Sequence, residues 1–126
     1  MGLDRFDPLM RSPVDAVCEL SIVIPAFNEA RKIRSTVGSI ADYLSRQRVS
    51  YELVVVDDGS TDQTVAEVRE AIRLAPAVRL IEAEHAGKGC AIRRGVLAAR
   101  GRFVVFLDAD YSTRMDEWGP VQAMAP

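Results

Sequence analysis

Arg102-Phe103-Val104-Val105-Phe106-Leu107-Asp108-Ala109-Asp110 is the stretch on which the reading of this chain turns. Five consecutive apolar residues, rich in Val and Phe, predict a strand buried on both faces. Two carboxylates follow at i and i+2, which strand alternation would aim to one side. Carboxylates at the exit of a buried strand are costly unless a metal ion or a hydrogen-bond network satisfies them.

Working outward, three similar strands precede it. Leu20-Ser21-Ile22-Val23-Ile24 predicts a first strand stopped by Pro25, and Tyr51 to Val56 predicts a second, ending in the turn signal Asp57-Asp58-Gly59. Val78-Arg79-Leu80-Ile81 predicts a short third. Between them, helical spacing appears at Ile33, Val37, Ile40 and Leu44, at Val65, Val68 and Ile72, and at Ile92, Val96 and Leu97 with Ala99. Asn28 is the expected cap of the first helix, Ser60 with Gln63 has capping-box spacing for the second, and Gly101 occupies a C′ position after the third. Ser112 or Thr113 offers a start for a further helix, cut short by Gly119-Pro120, and Trp118 is expected to cover an apolar edge.

Strands alternating with helices through short connections imply right-handed βαβ units and a mainly parallel sheet, an α/β fold with a three-layer α/β/α sandwich. In such sheets ligands bind at the carboxyl ends of the strands. Among the connections, the polar and glycine-bearing ones are those there, residues 25–29, 57–62, 84–89 and 108–113, whereas residues 47–50 and 74–76 at the other end are plain. A carboxylate-rich crevice suits Mg2+ or Mn2+, and such a cation suits a diphosphate. His85 is expected as a surface loop residue and Cys90 as packing.

Composition narrows the function classes. The chain has 126 residues, 48% hydrophobic and 27% charged, as expected of one soluble domain preceded by a loose leader over 1–18. A net charge of -2 gives no case for nucleic acid, and Cys18 and Cys90 have no metal-ligand spacing. These features point to a cytoplasmic setting, with any membrane contact at its cytoplasmic face. No apolar run reaches the roughly 20 residues of a bilayer span, and residues 1–17 lack the apolar core of a secretory signal. Gly87-Lys88-Gly89 lacks P-loop spacing, and neither Gly-x-Gly-x-x-Gly after the first strand nor Gly-x-Ser-x-Gly is present.

Three segments together resemble a family: residues 21–29, Ser-Ile-Val-Ile-Pro-Ala-Phe-Asn-Glu; residues 54–62, Val-Val-Val-Asp-Asp-Gly-Ser-Thr-Asp; and Asp108-Ala109-Asp110. In this order and spacing, over about residues 19–118, they are similar to the family 2 glycosyltransferases, whose nucleotide-sugar-binding fold is termed GT-A. Residues 87–95, Gly-Lys-Gly-Cys-Ala-Ile-Arg-Arg-Gly, with Asp-Ala-Asp-Tyr-Ser-Thr over 108–113, resemble the branch acting on polyprenyl or dolichyl phosphate. The resemblance implies that Pro25, Ala26, Phe27 and Glu29 hold the nucleoside and that Asp58, with Asp57, meets the base or ribose. Lys88 would border the nucleotide, and Asp108-Ala109-Asp110 would place both carboxylates at a metal on the diphosphate. The implied reaction is an inverting transfer from a UDP- or GDP-sugar to an acceptor such as a lipid phosphate. Family members run longer, so residues 19–126 read as the N-terminal, donor-binding half, with the catalytic base beyond residue 126; Asp116 and Glu117 have no support from the match. A sheet left open in this way is expected to self-associate. The alternatives are a non-catalytic nucleotide-binding fragment and a phosphatase using Asp-x-Asp, in which Asp108 would attack phosphate.

Overall fold

The computed structural model describes residues 16–110. The elements run β1 (Cys18–Ala26), α1 (Ile33–Arg46), β2 (Tyr51–Asp58), α2 (Thr64–Leu74), β3 (Val78–Ala83), α3 (Lys88–Ala98) and β4 (Gly101–Phe106). The four strands form one sheet in the order β3-β2-β1-β4, with every neighbouring pair parallel. The predicted α/β/α layering is present. Ile22, Ile24, Leu53 and Val55 pack with α1 and α2 on one face, and Val23, Val54 and Val56 pack with Ala91 and Val96 of α3 on the other.

The helical spacing accounts for α1. Ile33, Val37, Ile40 and Leu44 are all fully buried, each worth roughly 1.5–3 kcal/mol relative to exposure. The α3 layer sits close because residue 95 is glycine: a Cβ there would stand 2.3 Å from Cγ1 of Val23. From β1 the chain steps outward to β2 and β3, then returns through α3 to the other side of β1. Right-handed crossovers put α3 on the opposite face, and the reversal leaves a crevice between the carboxyl ends of β1 and β4.

Several local expectations are corrected. β1 continues through Pro25 to Ala26. Pro25 has the parity of Val23, whose carbonyl accepts from the Leu107 amide on the β4 side. The β4 register ends at Val23↔Phe106, so the N–H that proline lacks has no ladder partner to lose. β4 is an edge strand among the described residues and is half-buried, with Phe106 55% exposed. Strand periodicity alone does not tell an edge from a centre. Asn28 does not cap α1, whose first turn has no side-chain cap, and the Ser60–Gln63 capping box does not form on α2. Gly101 opens β4 rather than closing α3; it is there because a Cβ would come within 2.6 Å of the Ser21 amide. Leu97 points outward and is 61% exposed. Most of the expected leader, the helix after Ser112, Trp118, and Asp116 and Glu117 lie outside the described residues.

Candidate functional site

The carboxyl ends of the four strands open onto one cleft of about 370 Å3. Its floor comes from β1, where Pro25 and Ala26 leave the sheet and Phe27 and Glu29 follow. The loop carrying them is latched to the loop after β2. Asn28, held at φ 52, accepts on Oδ1 from the amides of Thr61 (2.8 Å) and Asp62 (3.3 Å), while its own amide donates to Ser60 Oγ at 2.8 Å. The Glu29 amide donates to Thr64 Oγ1 at 2.9 Å, and the Ala30 amide to Asp62 Oδ2 at 3.2 Å. The residues expected to cap their own helices instead tie two loops together. Short polar side chains satisfy whichever amide the tertiary fold brings near.

Alternation along β2 separates its two terminal aspartates. Asp57 shares the α1/α2 side with Leu53 and Val55, and Asp58 the α3 side with Val54 and Val56. Asp57 is buried, accepts from the Ser60 amide at 3.1 Å through Oδ2, and has no hydrogen bond at Oδ1 among the described residues. Asp57 is not among the cleft's lining residues, whereas Asp58 is. The Asp58 carboxylate is also almost fully engaged. Oδ1 accepts from the amides of Ala86 (2.8 Å) and Gly87 (3.3 Å), and Oδ2 from Gly87 (3.1 Å), with His85 Nδ1 at 2.9 Å. Burial pushes this carboxyl upward, but the amides of Ala86 and Gly87 and the adjacent imidazole outweigh it and hold Asp58 below the ordinary carboxylate value.

His85 is the exposed loop residue expected, and it also has defined partners. Its ring stacks on Phe27 with centroids 4.4 Å apart and planes at 28°, and both rings line the cleft. The signal for it was its place in a strand-end loop, opposite a glycine. Gly59 has φ 73, and a Cβ there would stand 2.7 Å from the His85 amide, so the close approach requires glycine. Gly87, at φ 101, also lines the cleft and leads directly into α3.

The opposite wall is Asp108-Ala109-Asp110. β4 ends at Phe106, so both carboxylates stand in the following loop, and strand alternation is not what aims them. Two hydrogen bonds fix the segment instead: Leu107 amide to Val23 carbonyl at 3.0 Å, and Thr36 Oγ1 to Ala109 carbonyl at 2.8 Å. Lys88, the first residue of α3, donates Nζ to Asp108 Oδ1. That hydrogen bond, the Asp108 charge and the nearby Asp110 raise the ammonium above its ordinary value, so it stays cationic.

The donor set fits a hard divalent cation. Asp108 and Asp110 would supply oxygen ligands from one side of the cleft, and no His, Cys, Asp or Glu makes a third within a metal-sized cluster among the described residues. A site of this kind suits Mg2+ or Mn2+, which take one or two carboxylates and complete their shell with phosphate oxygens and water.

An open parallel α/β sheet with an acidic cleft at its switch point is the GT-A architecture of nucleotide-sugar-binding proteins, and solved structures share it. TarS of S. aureus superposes with a TM-score of 0.62 at 31% identity, over 73% of this chain and 27% of its own. The mannosyltransferase PcManGT from Pyrobaculum calidifontis, solved with GDP-Man and Mn2+, gives 0.62 at 31%, over 79% and 31%. The chain belongs to glycosyl transferase family 2, whose sequence pattern matches residues 21–125. Curated relatives include the dolichyl-phosphate beta-glucosyltransferase of Dictyostelium discoideum, 32% identical over 89% of this chain and 36% of its own length. The dodecaprenyl-phosphate galacturonate synthase of Rhizobium johnstonii is 36% identical over 78% and 29%. The chain thus spans about a third of the length of the relatives it matches. Family membership sets the phosphatase reading aside. No helix among the described residues is long and apolar enough to cross a membrane.

Proposed function

We propose that this chain binds the donor of an inverting sugar transfer, a nucleoside-diphosphate sugar, and that the transfer goes to a polyprenyl or dolichyl phosphate acceptor. The observation carrying this is the convergence of Phe27, Asp58, Lys88, Asp108 and Asp110 on one cleft although they leave the sheet from different elements. Similarity to polyprenyl- and dolichyl-phosphate enzymes supports the lipid-phosphate acceptor, and with it a working position at the cytoplasmic face of a membrane.

Each end of the cleft has a distinct task. Phe27 and His85 give an apolar, flat surface suited to a base, with Pro25, Ala26 and Glu29 alongside. Asp108 and Asp110 would hold Mg2+ or Mn2+, which when bound neutralises charge developing on the departing diphosphate. Lys88 brings a permanent cation to the same end and orients phosphate oxygens. The general base that takes the acceptor's proton is expected outside the described residues. The outer edge of β4, unpaired among the described residues, and the exposed ring of Phe106 support self-association.

A thermal-shift screen of UDP, GDP and their sugars, with and without Mn2+, tests the reading, because a ligand selective for the folded state raises its melting temperature. A metal-dependent shift with one nucleotide, abolished by Asp110→Ala, is the expected result. A flat response to all of them would overturn it.

A further inference from the structure

The arginines of the two helical layers are partnered differently. On α1 and α2 every arginine meets a carboxylate: Arg34 pairs with Glu67, Arg46 with Asp42, Arg69 with Glu82 and Arg73 with Glu70. The third helix, α3, lies across the sheet and contains no Asp or Glu. Its Arg93 and Arg94 are exposed and have no carboxylate partner among the described residues. Leu97 follows at i+4 and i+3 from them, on the same helix face, and is 61% exposed. Ala91 and Val96 pack on the sheet with Gly95 between them, so the two arginines and the leucine form the outer stripe. The positive surplus continues at the C-terminal end of the helix. Arg79 and Arg100 share the single buried carboxylate of Glu52, and Arg79 Nη2 also donates to the Ala98 carbonyl at 2.8 Å. Uncompensated guanidinium groups beside an exposed apolar side chain complement a surface that is anionic outside and apolar beneath.

Resting on the membrane-side acceptor reading above, we propose that the outer face of α3 docks on the anionic headgroups of a lipid surface, with Arg93 and Arg94 meeting phosphates and Leu97 entering the acyl boundary. The face is separate from the cleft, but α3 begins at Lys88, which lines it. Docking therefore sets the Lys88 side of the cleft next to the headgroup layer, where a lipid phosphate presents its own phosphate. The net charge of -2 is no obstacle, because charges more than about 8–10 Å away are screened at physiological salt and the local face decides.

The magnitudes are those of a weak peripheral contact. Each arginine beside an anionic bilayer contributes about a fivefold factor in partitioning, so the pair accounts for roughly 25-fold. High salt removes most of that factor, and the leucine adds a smaller one that salt does not touch.

The test is co-sedimentation of the full chain with phosphatidylcholine vesicles, with and without a third of phosphatidylglycerol, at low and high salt. The wild type should prefer the anionic vesicles by about tenfold or more at low salt and lose most of that margin at high salt. Arg93→Gln with Arg94→Gln should abolish the preference while the melting temperature stays at the wild-type value, since both side chains are exposed and unpaired. Leu97→Ala should weaken binding a few-fold at either salt. Arg69→Gln with Arg73→Gln removes the same charge from α2 and should leave the preference intact. An equal loss in the α2 pair, or a preference that survives in the α3 pair, overturns the α3 face and leaves a membrane-side position standing. Retention on polyglutamate beads, with no gain on phosphatidylglycerol vesicles, overturns the lipid surface in favour of an acidic protein. Failure to bind vesicles of either kind at low salt overturns the membrane-side reading itself.

Discussion

The Thr36 hydroxyl donates to the Ala109 carbonyl at 2.8 Å, joining α1 to the residue between the carboxylates of Asp108 and Asp110. The bond is buried and spans 73 positions of sequence. It makes the orientation of Asp108 and Asp110 a property of the α1 layer as much as of β4.

Thr36→Val keeps the shape of the side chain and leaves the Ala109 carbonyl unpaired. The expected loss is about 1–3 kcal/mol of stability in urea denaturation. A larger proportional loss should appear in Mn2+-dependent nucleotide binding. Unchanged binding alongside lost stability would detach α1 from the site.

Lys88→Met separates binding from folding. The pair with Asp108 is solvent-exposed on both sides, so the melting temperature should stay within about a degree of wild type. Affinity for a nucleoside diphosphate should fall at least several-fold in calorimetry, while affinity for the nucleoside alone holds. An equal loss for both ligands would place Lys88 away from the phosphates.

Gly95→Ala tests the packing of the α3 layer. The added methyl meets Val23 and Val56, with the nearest atom at 2.3 Å. Overpacking of this kind costs roughly 1–3 kcal/mol. Gly89→Ala on the same helix, where a Cβ meets nothing within 4 Å, is the control and should leave the denaturation midpoint at or above wild type.

Acid should unfold the protein through three carboxylates. Burial works to raise Glu52, but Ser21, the Arg100 amide, Arg79 and Arg100 together lower it. Asp58 is lowered by the amides it holds despite burial, and Asp62 chiefly by Thr64. Each releases its proton more readily folded than unfolded. Their stabilisation is therefore fully present above the ordinary carboxylate value of about 4 and is lost as pH falls through the lower folded values. The melting temperature should be flat from pH 7 to 5 and drop steeply below 4. Glu52→Gln should flatten that drop; an unaltered slope would remove Glu52 from the transition.

The architecture was legible because it rests on repeated, strong signals. Four apolar strand segments and three helical stripes with short connections admit few arrangements, and the polar loops fell on one end of the sheet. That Phe27, Lys88 and Asp110 would line one cleft was legible for the same reason. Reading ran out where a residue's partner is remote in sequence. Asn28 and Ser60 looked like local helix caps and instead bond loops about 32–34 positions apart. His85 carries no motif; its role depends on Asp58 and Phe27, which only the parallel sheet brings beside it. Asp57 and Asp58 are chemically alike in sequence, and the pleat alone decides which one reaches the cleft.

The strand order also sets a timetable for assembly. β1, β2 and β3 follow one another in the chain, and the Asn28 latch, Asp58 and the His85 loop all lie before residue 88. The carboxylate pair must wait for β4 to slot beside β1, a pairing some 83 positions long at Cys18↔Gly101. Contacts that distant carry the largest closure entropy and form late. In pulse-labelled hydrogen exchange the amides of Ala86 and Gly87 should gain protection ahead of Leu107, so that the Phe27–His85 half of the cleft exists before the wall carrying Asp108 and Asp110.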